Sequence, residues 1–204
     1  MRRAVFGGSF DPVHNGHVNL VKQVYSRVGL DEIIIMPAGI SPFKQNMERI
    51  PASGKQRFDM CKLAFEDVPY VTVSDYEISQ PDVSYTVNTV RHLKEKYPQD
   101  ELFLIIGSDM LLSFHKWRNF EEILSMCGLI AASRESGQKD IAELEKQAET
   151  LKKYGSVTVV PIDTFEASST EIRKKIKNSS DISCYVPQNV VKYISEHNLY
   201  KAEP

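Results

Sequence analysis

Cysteine is scarce in this chain: Cys61, Cys127 and Cys184 are the only three in 204 residues, they lie far apart, and none forms a CxxC pair. A scattered odd number argues against a disulfide framework or a structural zinc site, and it fits a reducing, cytoplasmic setting. Charge of one sign is also lacking, since the formal net charge is -2. No broad field then favours nucleic acid or an anionic membrane as the main partner, so any bound anion must be held locally. No apolar run approaches the length needed to span a bilayer. The opening Met1-Arg-Arg-Ala-Val-Phe6 meets glycines before a signal-peptide core could form, which leads us to expect a soluble, unexported protein. Repeats, low-complexity tracts and dividing linkers are missing as well, so residues 1–204 are expected to form one domain.

What the chain does have is alternation. Ala4 to Phe6, Glu32 to Met36, Tyr70 to Val73, Leu102 to Ile106, Gly128 to Ala132 and Val157 to Val160 are short and rich in Val, Ile and Leu, as buried parallel strands are. Between them Gly16 to Val28, Ser53 to Phe65, Tyr85 to Tyr97, Asn119 to Met126 and Asp140 to Tyr154 place apolar residues at helical spacing. Ser53 with Gln56 forms a capping-box pattern, and Pro187 to His197 reads as a short helix with proline at its start. This order predicts an α/β, Rossmann-like, doubly wound parallel sheet of five or six strands with helices on both faces. A small helical segment from about residue 168 follows it.

Ligands of such a sheet bind beyond the carboxyl ends of the strands, near the point where strand order reverses. The stretch Phe6-Gly-Gly-Ser-Phe-Asp-Pro-Val-His-Asn-Gly-His17 falls there. Gly7 and Gly8 let the backbone come close to a ligand, and the helix beginning near Gly16 aims unpaired N–H groups at the same corner. It is not a Walker loop, because no Gly-Lys-Ser/Thr follows, and it lacks GxGxxG spacing. His14 and His17, three apart, can face one corner and donate to phosphate oxygens. A helix cap or a metal pair is the alternative, and zinc is disfavoured because no third ligand of suitable type is evident nearby.

Two further stretches bear chemistry. Ser168-Ser-Thr-Glu-Ile-Arg173 puts hydroxyls at a helix start, where exposed N–H groups and Arg173 can grip a polyphosphate; by itself it also reads as an ordinary N-cap with a solvated arginine. Leu102-Phe-Leu-Ile-Ile-Gly-Ser-Asp109 is an apolar strand ending in a carboxylate that suits ribose hydroxyls or caps the next helix. Trp117, the only tryptophan, stands in the polar His115-Lys-Trp-Arg118, a setting for recognition or for a half-buried ring.

The stretch from Gly7 to His17 resembles the GSFDPxHxGH signature of the nucleotidyltransferase superfamily, and Ser168 to Arg173 is similar to its second signature, SSTxIR. Gly107-Ser108-Asp109 followed by Trp117 resembles the pattern of nicotinate-mononucleotide adenylyltransferases, and the likeness covers nearly the whole chain. It implies transfer of AMP from ATP to nicotinic acid mononucleotide, giving deamido-NAD and pyrophosphate. His14, His17 and Arg173 would be the catalytic groups. ATP would be held by Gly7, Gly8, Ser9, Phe10, His17, Gly107, Asp109, Arg134, Ser168, Ser169, Thr170 and Arg173. The mononucleotide would meet Lys44 at its phosphate, the Tyr85-Thr86 amides at its carboxylate, Asp109, and Trp117 stacked on the pyridine ring. Mg²⁺ would come with the ATP phosphates and water, with no metal ligand from the protein. The sequence departs from the family at Phe43, where a histidine is common, after Arg134, where proline and glycine usually follow, and at Ala167, where isoleucine is preferred. A different acceptor, such as phosphopantetheine, nicotinamide mononucleotide or a polyol phosphate, stays open, as do a non-catalytic nucleotide sensor and a homo-oligomer.

Overall fold

The computed structural model of the chain describes residues 1–40, 52–133 and 138–201. Its strands are β1 (Arg2–Gly8), β2 (Glu32–Pro37), β3 (Val71–Val73), β4 (Glu101–Gly107), β5 (Gly128–Ser133) and β6 (Val157–Pro161). Its helices are α1 (Asn15–Val28), α2 (Gly54–Ala64), α3 (Thr86–Lys96), α4 (Ser108–Ser113), α5 (Phe120–Met126), α6 (Gln138–Leu151), α7 (Ser169–Lys177) and α8 (Gln188–Glu196). All pairings in the sheet are parallel, in the order β3-β2-β1-β4-β5-β6. The higher of the two expected strand numbers is the one formed.

Alternate side chains of each strand feed opposite cores. Ala4, Phe6, Ile33, Ile35, Phe103 and Ile105 pack with Val21 and Val24 of α1, Met60 of α2, Ile172 of α7 and Val190 of α8. Val5, Ile34, Met36, Leu104 and Ile106 pack with Val90 of α3, Leu111 of α4, Ile123 of α5 and Leu144 of α6. A sheet covered on both sides leaves no place for alternating polar residues, which is why its strands read as unbroken apolar runs. Each fully buried Ile or Leu contributes about 1.5–3 kcal/mol of transfer free energy.

Local signals set the helix ends. At α2 the Ser53 hydroxyl accepts the Gln56 N–H at 3.2 Å while Gln56 Oε1 accepts the Ser53 N–H at 2.9 Å, the reciprocal pair expected from the sequence. Such a box is worth about 1 kcal/mol. Helix α1 stops at Gly29, whose φ of 68° lies in the left-handed region and whose N–H reaches the Tyr25 carbonyl. Helix α4 is an unforeseen element: β4 runs straight into six helical residues, too few to show a period.

Between β1 and β4 the strand order reverses, so the loops leaving these two strands form the mouth of a crevice. The chain after β6 is also drawn towards it. Asn19 and Gln23 of α1 donate to the Asp163 carbonyl at 2.8 and 3.1 Å, and Gln23 accepts the Asp163 N–H at 2.9 Å. These bonds seat the β6–α7 connection along α1 and carry α7 to the end of β1. No helix among the described residues is long and apolar enough to cross a membrane.

Candidate active site

The loop leaving β1 folds back on itself. Phe10 takes a φ of 49°, and its ring is buried edge-on to Phe6 at 5.6 Å and to His17 at 5.0 Å. That ring also explains one glycine, since a Cβ on Gly8 would lie 2.9 Å from it. The chain's own packing is thus enough to call for glycine at position 8, and the Phe10 ring is buried in the fold.

The two histidines stand where α1 begins. His14 is the N-cap residue, with extended backbone, and His17 is the third helical residue. Their rings lie 3.7 Å apart at 31°, and the His14 N–H donates to His17 Nδ1 at 3.2 Å. Gly16 makes room for this pair: a Cβ there would sit 3.0 Å from His14 Nδ1. His14 thus holds the cap position through its backbone, and the bond from its N–H fixes the His17 ring.

Helix α7 docks on the same loop. Ser168 caps it, accepting the Glu171 N–H at 3.2 Å. The next turn reaches across: Ser169 Oγ donates to the Pro12 carbonyl at 3.0 Å, and Arg173 donates to the Asp11 carbonyl at 2.7 Å and to Thr170 Oγ1 at 3.3 Å. Arg173 is not a solvated side chain. The two sequence signatures meet in space although about 160 residues separate them.

Beside this junction, between the ends of β1 and β4, lies a cavity of about 300 Å³. Gly7, Gly8, Ser9, Thr86, Gly107 and Trp117 line it, joined by Glu77, Ser84, Thr89 and Met110. Trp117 is half-buried, tilted on Phe114 at 5.0 Å. Gly107, not Asp109, holds the N-cap position of α4; Asp109 sits exposed in the first turn, so the capping alternative for this carboxylate falls away. Tyr85 occupies the N-cap of α3, its N–H is bonded to the Val83 carbonyl at 3.0 Å, and the Arg118 guanidinium lies 4.5 Å from its ring. Its side chain packs, which leaves Thr86 as the member of that pair on the cavity wall. Lys44 and Arg134 lie outside the described residues.

Charged groups given no role by the sequence also stand here. Glu77 is buried at the cavity wall, where burial raises its carboxyl above the ordinary range and hydrogen bonds from Thr89 (2.6 Å) and Ser84 partly oppose this. Asp11 is buried too; burial raises its pKa, and the Tyr200 hydroxyl at 2.7 Å, Arg173 and Arg57 pull it back. Burial lowers that of Arg57, which the Asp11 charge offsets, and its Nη1 holds the Ser9 carbonyl at 2.8 Å. Arg57 did leave a trace, because it falls on the apolar face of α2 with Met60 and Cys61. Among the described residues no three His, Cys, Asp or Glu side chains gather as a metal site.

Such a crevice, with two signature segments joined at its rim, defines a nucleotidyltransferase, and the family model described as cytidylyltransferase-like matches residues 5–175. Relatives narrow the class. A probable nicotinate-nucleotide adenylyltransferase of Clostridium botulinum (strain Loch Maree / Type A3) is 37% identical over 204 residues, spanning 98% of this chain and 100% of the relative. Its counterpart in strain Alaska E43 / Type E3 is 38% identical, spanning 99% of each. The chain belongs to the cytidylyltransferase-like family and, within it, to the nicotinate-nucleotide adenylyltransferases. In fold it is similar to the Plasmodium falciparum nicotinic acid mononucleotide adenylyltransferase complexed with NaAD, with a TM-score of 0.76 at 21% identity, covering 98% of this chain and 97% of the other.

Proposed function

We propose that this chain transfers the AMP moiety of ATP to nicotinic acid mononucleotide, forming nicotinic acid adenine dinucleotide and pyrophosphate. The observation that carries this reading is the docking of Ser169 and Arg173 on the Pro12 and Asp11 carbonyls beside a cavity walled by Trp117. The full-length likeness to nicotinate-nucleotide adenylyltransferases supports it.

In the proposed reaction a phosphate oxygen of the mononucleotide attacks the α-phosphorus of ATP in line. The bond from that phosphorus to the bridging oxygen breaks, and pyrophosphate leaves with its electron pair. No enzyme nucleophile takes part. His17, whose Nδ1 already accepts the His14 N–H, keeps its ring proton on Nε2 and offers that as a donor to the charge that grows on the phosphoryl oxygens. His14, its ring tilted against that of His17 at 3.7 Å, orders the pair. Arg173 uses only part of its fork on Asp11 and Thr170, and its other N–H groups serve the leaving pyrophosphate together with the first-turn amides of α7. Gly7, Gly8, Ser9 and Phe10 contribute backbone to the ATP phosphates, and Gly107 and Asp109 meet the nucleotide sugar.

On the acceptor side Trp117 stacks on the pyridine ring and the Thr86 N–H, at the positive end of α3, holds the nicotinate carboxylate. Lys44 at the acceptor phosphate and Arg134 near the adenine rest on the family likeness alone. Mg²⁺ would accompany the triphosphate, held mainly through phosphate oxygens and water. When bound, it would neutralise phosphate charge. This reading takes residues 1–204 as one nucleotidyltransferase unit working in the cytoplasm.

The test is pyrophosphate release from ATP with nicotinic acid mononucleotide, nicotinamide mononucleotide and phosphopantetheine side by side. We expect the first acceptor to be preferred by kcat/KM. A preference for phosphopantetheine would overturn the assignment, and tight ATP binding with no turnover on any acceptor would make the chain a sensor.

A further inference from the structure

The loop between β1 and α1 is held from behind by side chains that come from distant parts of the chain. Arg57 of α2 donates to the Ser9 carbonyl, Arg173 of α7 to that of Asp11, and Ser169 to that of Pro12, at 2.8, 2.7 and 3.0 Å. In a planar trans peptide the N–H points opposite to the C=O. Anchoring the Ser9 and Pro12 carbonyls therefore turns the N–H groups of Phe10 and Val13 away from those anchors.

The anchors themselves need support. Arg57 is only 3% exposed, and a cation at that depth is tolerable only with a counter-charge. The Asp11 carboxylate is the largest of the negative groups that act on it, without a direct ion pair, and Asp11 in turn accepts the Tyr200 hydroxyl at 2.7 Å across 189 residues of sequence. Tyr200 lies at φ 63°, a region that a non-glycine residue holds only when its contacts enforce it. Leu199 beside it is buried in the core against which α1 and α8 pack. The segment around Tyr200 is thus tied to the signature loop through its hydroxyl.

We propose that Asp11, Arg57 and Tyr200 are positioning residues for the phosphate cradle: they fix the Ser9–Pro12 loop and Arg173 in the geometry that transfer needs, and Tyr200 makes that geometry depend on the C-terminal segment. This rests on the reading of the loop as the cradle for ATP phosphates. None of the three has to touch a reacting atom. Their effect passes through the carbonyls they hold and through the Arg173 side chain that shares the Asp11 residue.

The test is Tyr200→Phe in the full chain, which deletes one oxygen and keeps the ring. We expect kcat for pyrophosphate release to fall about tenfold, the scale of a loop misplaced by a fraction of an ångström, with KM for the mononucleotide changed less than about twofold. Amide exchange across residues 9–13 should quicken by at least about tenfold while β4 is unchanged. A folded variant whose kcat stays within about twofold of the parent overturns the proposal, even if its melting temperature drops, because the hydroxyl would then only brace the fold. A fall in kcat with unaltered exchange at residues 9–13 overturns it too. Should the parent release no pyrophosphate with any acceptor, the reading of the reaction fails separately, and the exchange measurement still decides whether Tyr200 orders the loop. Arg57→Lys, which keeps the charge but loses the guanidinium fork, guards against a fault peculiar to Tyr200 and should show the same pairing of slower turnover with faster local exchange.

Discussion

His17 accepts the backbone N–H of His14 through Nδ1 at 3.2 Å while the two rings lie 3.7 Å apart, so one histidine caps the helix backbone and orients the other. With Nδ1 used as an acceptor, the ring's donor is Nε2–H. His17→Ala deletes that donor, and kcat should fall about a hundredfold or more, as for loss of a transition-state hydrogen bond. Packing on Phe10 at 5.0 Å is lost as well, at a cost near 1 kcal/mol. Steady-state pyrophosphate release and thermal unfolding measure the two effects separately; full activity would end the mechanism.

Trp117 lies on the cavity wall across from the β1 loop, tilted against Phe114 rather than sunk in the core. With the pyridine ring stacked on it, Trp117→Ala removes stacking worth about 1–3 kcal/mol. KM for the mononucleotide should then rise about tenfold or more, with KM for ATP within about twofold. Equal losses for both substrates would mean that the ring sits elsewhere.

Glu77 gives a pH signature. Burial raises its carboxyl above 4.5, so the folded chain holds this proton more tightly than the unfolded chain does. Its contribution to stability is therefore full below the unfolded pKa and is lost as pH rises through the folded one. Glu77→Gln cannot ionise, and its Oε1 can still accept from Thr89. Melting temperatures of both proteins from about pH 4 to about pH 7.5 should show the parent losing ground to Glu77→Gln as pH rises. A difference that does not vary with pH would mean that Glu77 titrates as an ordinary exposed acid.

Much of this architecture is legible in the sequence because the sheet is buried on both faces: Ile33 to Met36 and Leu102 to Ile106 are strands whichever side they face. Both signatures are local, and residues such as His14 and His17 bring their partners with them along the chain. What escaped is long-range or short. Tyr200 finds Asp11 across 189 residues, and no periodicity encodes that contact. Helix α4 has six residues, less than two turns, so no apolar stripe could mark it. Arg57 lies between these extremes: it shares a buried helix face with Met60 and Cys61, a pattern the sequence holds but which the expectations above leave unused, and the carbonyl it grips belongs to another segment.

Gly16 sets helix propensity against the site. It lies in the first turn of α1, where alanine would ordinarily gain up to about 1 kcal/mol. A Cβ there would stand 3.0 Å from His14 Nδ1, 3.1 Å from its Cε1 and 3.4 Å from the Phe165 carbonyl oxygen. The backbone oxygen is the less mobile neighbour, so the ring must yield, and with it the tilted ring contact that orders His17. Gly16→Ala should therefore leave the melting temperature equal or slightly higher while kcat falls by about tenfold or more. Placed in a His14→Ala background, the same substitution should have little further effect on kcat, because the group it displaces is already gone. Additive losses in that double-mutant cycle would show that Gly16 acts through Phe165 and the α7 connection instead, and the helix start would then owe its glycine to chain packing rather than to the histidine pair.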